Sequence, residues 1–140
     1  MAATTTAWRA VLIYENRWTW IPAALLFCAG LILYKLSHSH FSIEQLSGLP
    51  EIVCGHSQQR LVTTGIRARV RHPIYVGHLC EMLAWSVGTG LAVCWSLTVW
   101  AIVTGAIMIK MEDRELEKRF GDEYRDYRSA VPALVPRLKL

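Results

Sequence analysis

Two blocks of apolar sequence constrain this chain more than any other feature. Trp18 to Leu36 carries no charge before Lys35, and Leu79 to Ile109 carries only Glu81. The first block is long enough for one membrane span of about 20 residues. The second is too long for one. A straight helix over its roughly 30 residues would reach about 45 Å, against a hydrocarbon core of about 30 Å. It therefore reads as a helical hairpin that breaks near Gly88-Thr89-Gly90 or Cys94-Trp95-Ser96. The alternative is a pair of buried helices in a soluble bundle. With 140 residues, 53% of them hydrophobic, the chain reads as a single all-α integral membrane domain of about three transmembrane helices.

The expected organisation is a first span at 18–36, a loop at 37–77, the hairpin at 78–111, and a C-terminal helix and tail at 112–140. The sequence before the first span lacks the basic region of a secretory signal, so the span reads as a retained anchor. Residues Trp8 to Tyr14 are expected in the membrane interface, and Trp18 and Trp20 suit headgroup depth. Ser42-Ile43-Glu44-Gln45 fits a capping box for a short helix that stops at Gly48. Thr63-Thr64-Gly65 reads as a turn, and Pro73 suits the first turn of the second apolar helix. The third should run on to about Phe120, where Gly121 is a plausible cap, followed by an irregular tail with Pro132 and Pro136.

Lys and Arg set the expected topology. The loop holds Arg60, Arg67, Arg69 and Arg71, and the C-terminal region is richer still, so three spans put both on the cytoplasmic face. The net charge of +4 then reads as attraction to membrane lipids, not to nucleic acid, for which no basic-aromatic module is visible. Four dispersed cysteines form no framework. Cys54-Gly55-His56 and His38-x-His40 lack a full ligand set, so no metal is expected.

Two polar clusters bracket the hairpin. At its mouth, Arg71-His72-Pro73-Ile74-Tyr75 combines a fixed cation, an imidazole and a phenol. The ordinary reading of such a run is a basic border anchor with snorkelling side chains. At its exit stand Glu112-Asp113-Arg114-Glu115 and then Phe120-Gly121-Asp122-Glu123-Tyr124 with Tyr127. Glu112 and Glu115 share a helix face and could hold an ammonium group or pair with Arg71; by spacing alone, a solvated helix end is favoured. Glu81, inside the apolar stretch, is either a site residue or a group at headgroup depth.

The run LVTTGIRARVRHPIYVG from Leu61 to Gly77 resembles the signature of the isoprenylcysteine carboxyl methyltransferase family of membrane enzymes. The later set Phe120, Gly121, Glu123, Tyr124, Tyr127, Val131, Pro132 and Pro136 is similar to theirs too, and Leu97 to Trp100 is compatible. The resemblance covers about the last 80 residues. It implies a helical membrane fold that binds S-adenosylmethionine without a Rossmann domain. Cofactor contacts would fall on Gln59, Leu61, Val62, His72, Pro73, Ile74, Tyr75 and Glu112, with Arg71 and Glu112 as the catalytic pair. The acceptor would be lipophilic, such as the terminal carboxylate of a prenylated cysteine. Gln59 stands where some relatives have His, Arg67 where a Tyr is common, and Met108 where relatives often carry an Arg one turn before the Glu matching Glu112. Three spans are fewer than most relatives have, so a homodimer would complete the pocket. Two other readings are a non-catalytic membrane interaction protein and an NADPH-dependent reductase of the sterol reductase type.

Overall fold

The computed structural model describes residues 11–38 and 60–136. Gln59, the capping box at 42–45 and the Cys54 and His56 pair lie outside them. Among the described residues the fold is all-helical: α1 (Trp20–His38), α2 (Pro73–Thr89), α3 (Ala92–Phe120) and α4 (Asp122–Ala130). Short 3-10 turns at Arg17–Thr19 and Gly65–Ala68 precede α1 and α2.

Helix α1 lies antiparallel against α2, and small residues allow the close approach. A Cβ on Gly30 would stand 3.1 Å from the carbonyl of Gly77, and one on Gly88 would stand 3.1 Å from the Trp20 ring and 3.2 Å from Ala23 Cβ. Gly77, Ala84 and Gly88 follow one another along one face of α2, the spacing that lets helix backbones pack closely in lipid. Glu81 shares that face. Its side chain packs over Gly30, on the side of α2 that faces α1, where the Tyr34 hydroxyl bonds Nδ1 of His78.

The hairpin turns at Gly90, one of the two expected positions. Gly90 caps α2 with φ +66°, a left-handed conformation that other residues adopt only with strain. Space also demands glycine, because a Cβ would lie 2.2 Å from the carbonyl oxygen of Tyr14. Residues 11–14, part of the segment expected in the interface, pair with this turn. Ile13 N–H donates to Gly90 O at 2.8 Å, and Ala92 N–H donates to Val11 O at 2.9 Å. The Tyr14 hydroxyl donates to the carbonyl of Val87 at 2.9 Å and lies 3.2 Å from that of Ser86. Between α2 and α3, Ser86 and Thr98 share a 2.8 Å hydrogen bond, and both are buried.

Among the described residues, two helices are long and apolar enough to cross a membrane, Arg17–Ser37 and Ala92–Phe120. Only 11% and 6% of their apolar windows are buried, so they are not the core of a soluble bundle. Large apolar side chains such as Leu25, Leu31, Trp100 and Val103 face outwards. An outer surface this apolar needs lipid around it. Helix α2, 17 residues long, packs against both.

As expected, α3 runs unbroken through Glu112 to Phe120, and Gly121 (φ +57°) turns the chain into α4. The tail from Val131 to Pro136 is irregular, yet it is tied down. Arg71 N–H donates to Pro132 O at 2.9 Å and His72 N–H donates to Ala133 O at 3.0 Å.

Candidate active site

Pro73 occupies the first turn of α2, so His72 is the residue at the helix cap. Its side chain makes no capping hydrogen bond. The imidazole is free to reach across to α3, where both ring nitrogens meet carboxylates. Nε2 lies 2.8 Å from Asp113 Oδ1, and Nδ1 lies 3.4 Å from Glu112 Oε2. A ring with an acid on each side is best satisfied doubly protonated. Burial opposes the cation, but the hydrogen bonds and charges of Glu112 and Asp113 outweigh it and raise the His72 pKa above its ordinary 6.5.

Asp113 is the hub. Its Oδ1 accepts from Arg71 Nη1 at 2.8 Å, from His72 and from the Tyr124 hydroxyl. Arg71 Nη1 also donates to the Tyr124 oxygen at 3.1 Å. Arg71, His72, Asp113 and Tyr124 are all buried, Tyr124 completely. Charges in such a place persist only when paired and hydrogen bonded. The Tyr124 hydroxyl is held protonated, its pKa raised by burial and then by the neighbouring Asp113.

Glu112 is the open counterpart of Asp113. Its side chain is 43% exposed, and its charge raises the pKa of Tyr75, after the larger effect of burial; Tyr75 stands edge-on to His72 with ring centroids 5.8 Å apart. Arg67 adds positive charge near Glu112. Its carbonyl accepts from the Tyr127 hydroxyl at 2.7 Å, so α4 holds the 65–68 turn as well.

The structure therefore brings together four of the residues expected from sequence: Arg71, His72, Tyr75 and Glu112. Pro73 and Ile74 form the first turn between them, while Leu61 and Val62 are half-buried in the irregular lead into the 65–68 turn. Arg71 pairs with Asp113 rather than with Glu112 or Glu115; Glu115 is exposed. Met108, one turn before Glu112, is also exposed. In the sequence Asp113 is masked by the charge run in which it sits. Helical phase would have found it: Ile109, Asp113, Leu116 and Phe120 share one face, so the acid occupies a core position. Among the described residues no group of three metal-ligating side chains forms.

A family profile described as phospholipid methyltransferase matches residues 18–123, most of the chain and every carboxylate and imidazole of the cluster. The chain belongs to this family. It is similar to curated relatives with different acceptors. It is 37% identical over 86 residues to the protein-S-isoprenylcysteine O-methyltransferase of Mus musculus, covering 56% of this chain and 28% of that protein. Over 126 residues it is 38% identical to methanethiol S-methyltransferase 2 of Bradyrhizobium diazoefficiens, 85% of this chain and 47% of that one. It is 32% identical over 141 residues to the nickel-cobalt-cadmium resistance protein NccN of Alcaligenes xylosoxydans xylosoxydans, 94% of this chain and 60% of that protein. The chain thus spans less than two thirds of the length of each of these relatives.

Proposed function

We propose that this protein is an S-adenosylmethionine-dependent membrane methyltransferase with its site between the N-terminal end of α2 and the exit of α3. The observation that carries the reading is the cluster of Arg71, His72, Tyr75 and Glu112 in a member of this family. In this proposal α1, α2 and α3 all span the bilayer, and the site lies on the cytoplasmic face, where Lys and Arg concentrate.

The donor set suits the cofactor. Arg71 Nε is buried and has no hydrogen-bond partner, so it offers a charged donor to an amino-acid carboxylate. Glu112, part-exposed and anionic, suits an ammonium group or ribose hydroxyls. Gln59, Leu61, Val62 and the His72–Tyr75 turn would complete the binding surface. Bound S-adenosylmethionine supplies an electrophilic methyl on a sulfonium. The chain's own part is to hold and orient the reactants and exclude water, which is how positioning lowers a barrier of this kind. The apolar flanks of α2 and α3 keep the surroundings weakly polar.

The acceptor is proposed to be lipophilic and to arrive sideways between the helices. The resemblance favours the carboxylate of a prenylated cysteine, which needs no general base at neutral pH. Similarity to a methanethiol S-methyltransferase, with Met108 where relatives often carry an Arg, favours a second reading in which the acceptor is a thiol. That acceptor would have to lose its proton on transfer. Transfer of labelled methyl from S-adenosylmethionine, assayed in membranes with a prenylcysteine and with an alkyl thiol, tests both. Label on the prenylcysteine supports the first, label on the thiol the second. Label on neither, together with binding of NADPH, would favour the reductase reading.

A further inference from the structure

We propose that Asp113 is a positioning residue for the proposed methyl transfer: it aims the His72 imidazole and, through Tyr124, locks that aim to α4. This inference rests on the methyltransferase reading for its purpose but not for its geometry. Asp113 Oδ1 takes three donors from three parts of the chain: Arg71 and His72 before α2, and Tyr124 on α4. An acceptor with that many donors is occupied and has little capacity left for a substrate. Its carboxylate neighbour Glu112, by contrast, is open on one side.

The geometry makes α4 and the tail part of the site's frame. Tyr124 bonds Asp113, Tyr127 bonds the carbonyl of Arg67, and the carbonyls of Pro132 and Ala133 take the N–H groups of Arg71 and His72. Arg128 approaches the second oxygen of Asp113 at 4.0 Å. Every one of these ties ends on the 67–72 segment or on its partner Asp113. The C-terminal segment thus holds the two functional side chains from behind, while Glu112 and Tyr75 face the open side.

The groups that bear on His72 are few. Glu112 and Asp113 face it from α3 and Tyr75 from α2, Arg71 adjoins it in the chain, and Tyr124 acts from α4 only through Asp113. Removing the Asp113 charge should therefore change the titration of His72 as well as its orientation, whereas loss of a merely structural contact would not.

The test is an NMR titration of the His72 imidazole in full-length protein in lipid nanodiscs, beside the pH profile of S-adenosylhomocysteine binding. The expected wild-type midpoint lies above 6.5. Asp113→Asn should lower it by about one pH unit, the scale of a close opposite charge. The binding profile should move with it, with affinity down about tenfold at pH 7.5 and partly recovered at pH 6. Tyr124→Phe, which keeps the carboxylate, should weaken binding severalfold and leave the midpoint above 6.5. A wild-type midpoint at or below 6.5 would overturn the proposal. So would an Asp113→Asn variant that titrates like wild type, or that loses affinity equally at every pH. If Asp113→Asn does not fold, Glu112→Gln decides: a His72 midpoint that stays above 6.5 without the Glu112 charge supports Asp113 as its cause, and one that falls to 6.5 or below overturns the proposal. If wild-type protein binds no S-adenosylhomocysteine, the methyltransferase reading fails, and the imidazole titration still decides whether Asp113 sets His72.

Discussion

The two ends of α2 are held in the same way and built from different chemistry. At the Gly90 end, residues 11–14 clamp the hairpin turn through Ile13, Val11 and the Tyr14 hydroxyl. At the Pro73 end, residues 132–133 clamp Arg71 and His72 through two backbone hydrogen bonds. Among the described residues the Gly90 end buries no charged side chain; the buried hydroxyls of Ser86 and Thr98 bond each other. The Pro73 end buries an arginine, a histidine and an aspartate around one tyrosine. A backbone clamp is therefore no sign of a site. What marks the site is buried charge, which a fold keeps only when its partners are in place.

The comparison breaks most sharply at Asp113. Asp113→Ala removes the one acceptor shared by two buried cationic groups and should cost about 3–5 kcal/mol of stability, the usual effect of leaving buried charge unpaired. Chemical denaturation of detergent-solubilised protein reads that directly. At the other end, Gly90→Ala should cost about 1–3 kcal/mol, because it forces a side chain into the left-handed region and against Tyr14. The difference lies in function: Gly90→Ala protein that still folds should bind S-adenosylhomocysteine as well as wild type does, and Asp113→Ala protein should not. Weakened binding in folded Gly90→Ala would show that the two ends are coupled.

Smaller changes sharpen the contrast. Tyr127→Phe removes the bond to the Arg67 carbonyl and should cost about 1 kcal/mol in the same denaturation assay. Ser86→Ala should cost about 0.6 kcal/mol, the mean for polar contacts between membrane helices. The pH responses should differ as well. His72 has a raised pKa in the fold, so its pairing contributes fully below about pH 6.5 and is lost as pH rises through the higher folded value. Stability measured across that range should fall in wild-type protein and stay flatter in His72→Ala, while Ser86→Ala should keep the wild-type slope.

Much of the architecture is legible in the sequence because punctuation residues carry it. Pro73 starts α2, Gly90 ends it in a left-handed cap, and Gly121 ends α3, each where backbone geometry leaves little choice. The length of the apolar runs and their lack of charge mark the helices between. Arg71, His72, Tyr75 and Glu112 are legible as a set because clustered chemistry at the edge of apolar sequence is unusual. Their pairing is not. Glu112, Asp113 and Glu115 are nearly interchangeable as letters, and only the phase of α3 against Ile109 and Phe120 tells which acid turns inwards. Tyr124 is less visible still, since its burial depends on how Gly121 redirects α4. The pairing of residues 11–14 with the hairpin turn has no local signal, because it rests on backbone groups brought together by the fold.

The account stands on cofactor binding at the Pro73 end. The most direct test is calorimetric titration of S-adenosylhomocysteine into purified wild-type, His72→Ala and Glu112→Ala protein, with NADPH as the control ligand. Saturable binding of S-adenosylhomocysteine alone to wild type, lost in both variants, is the predicted result. Unchanged affinity in both variants would contradict the site, and binding of NADPH in place of S-adenosylhomocysteine would contradict the function.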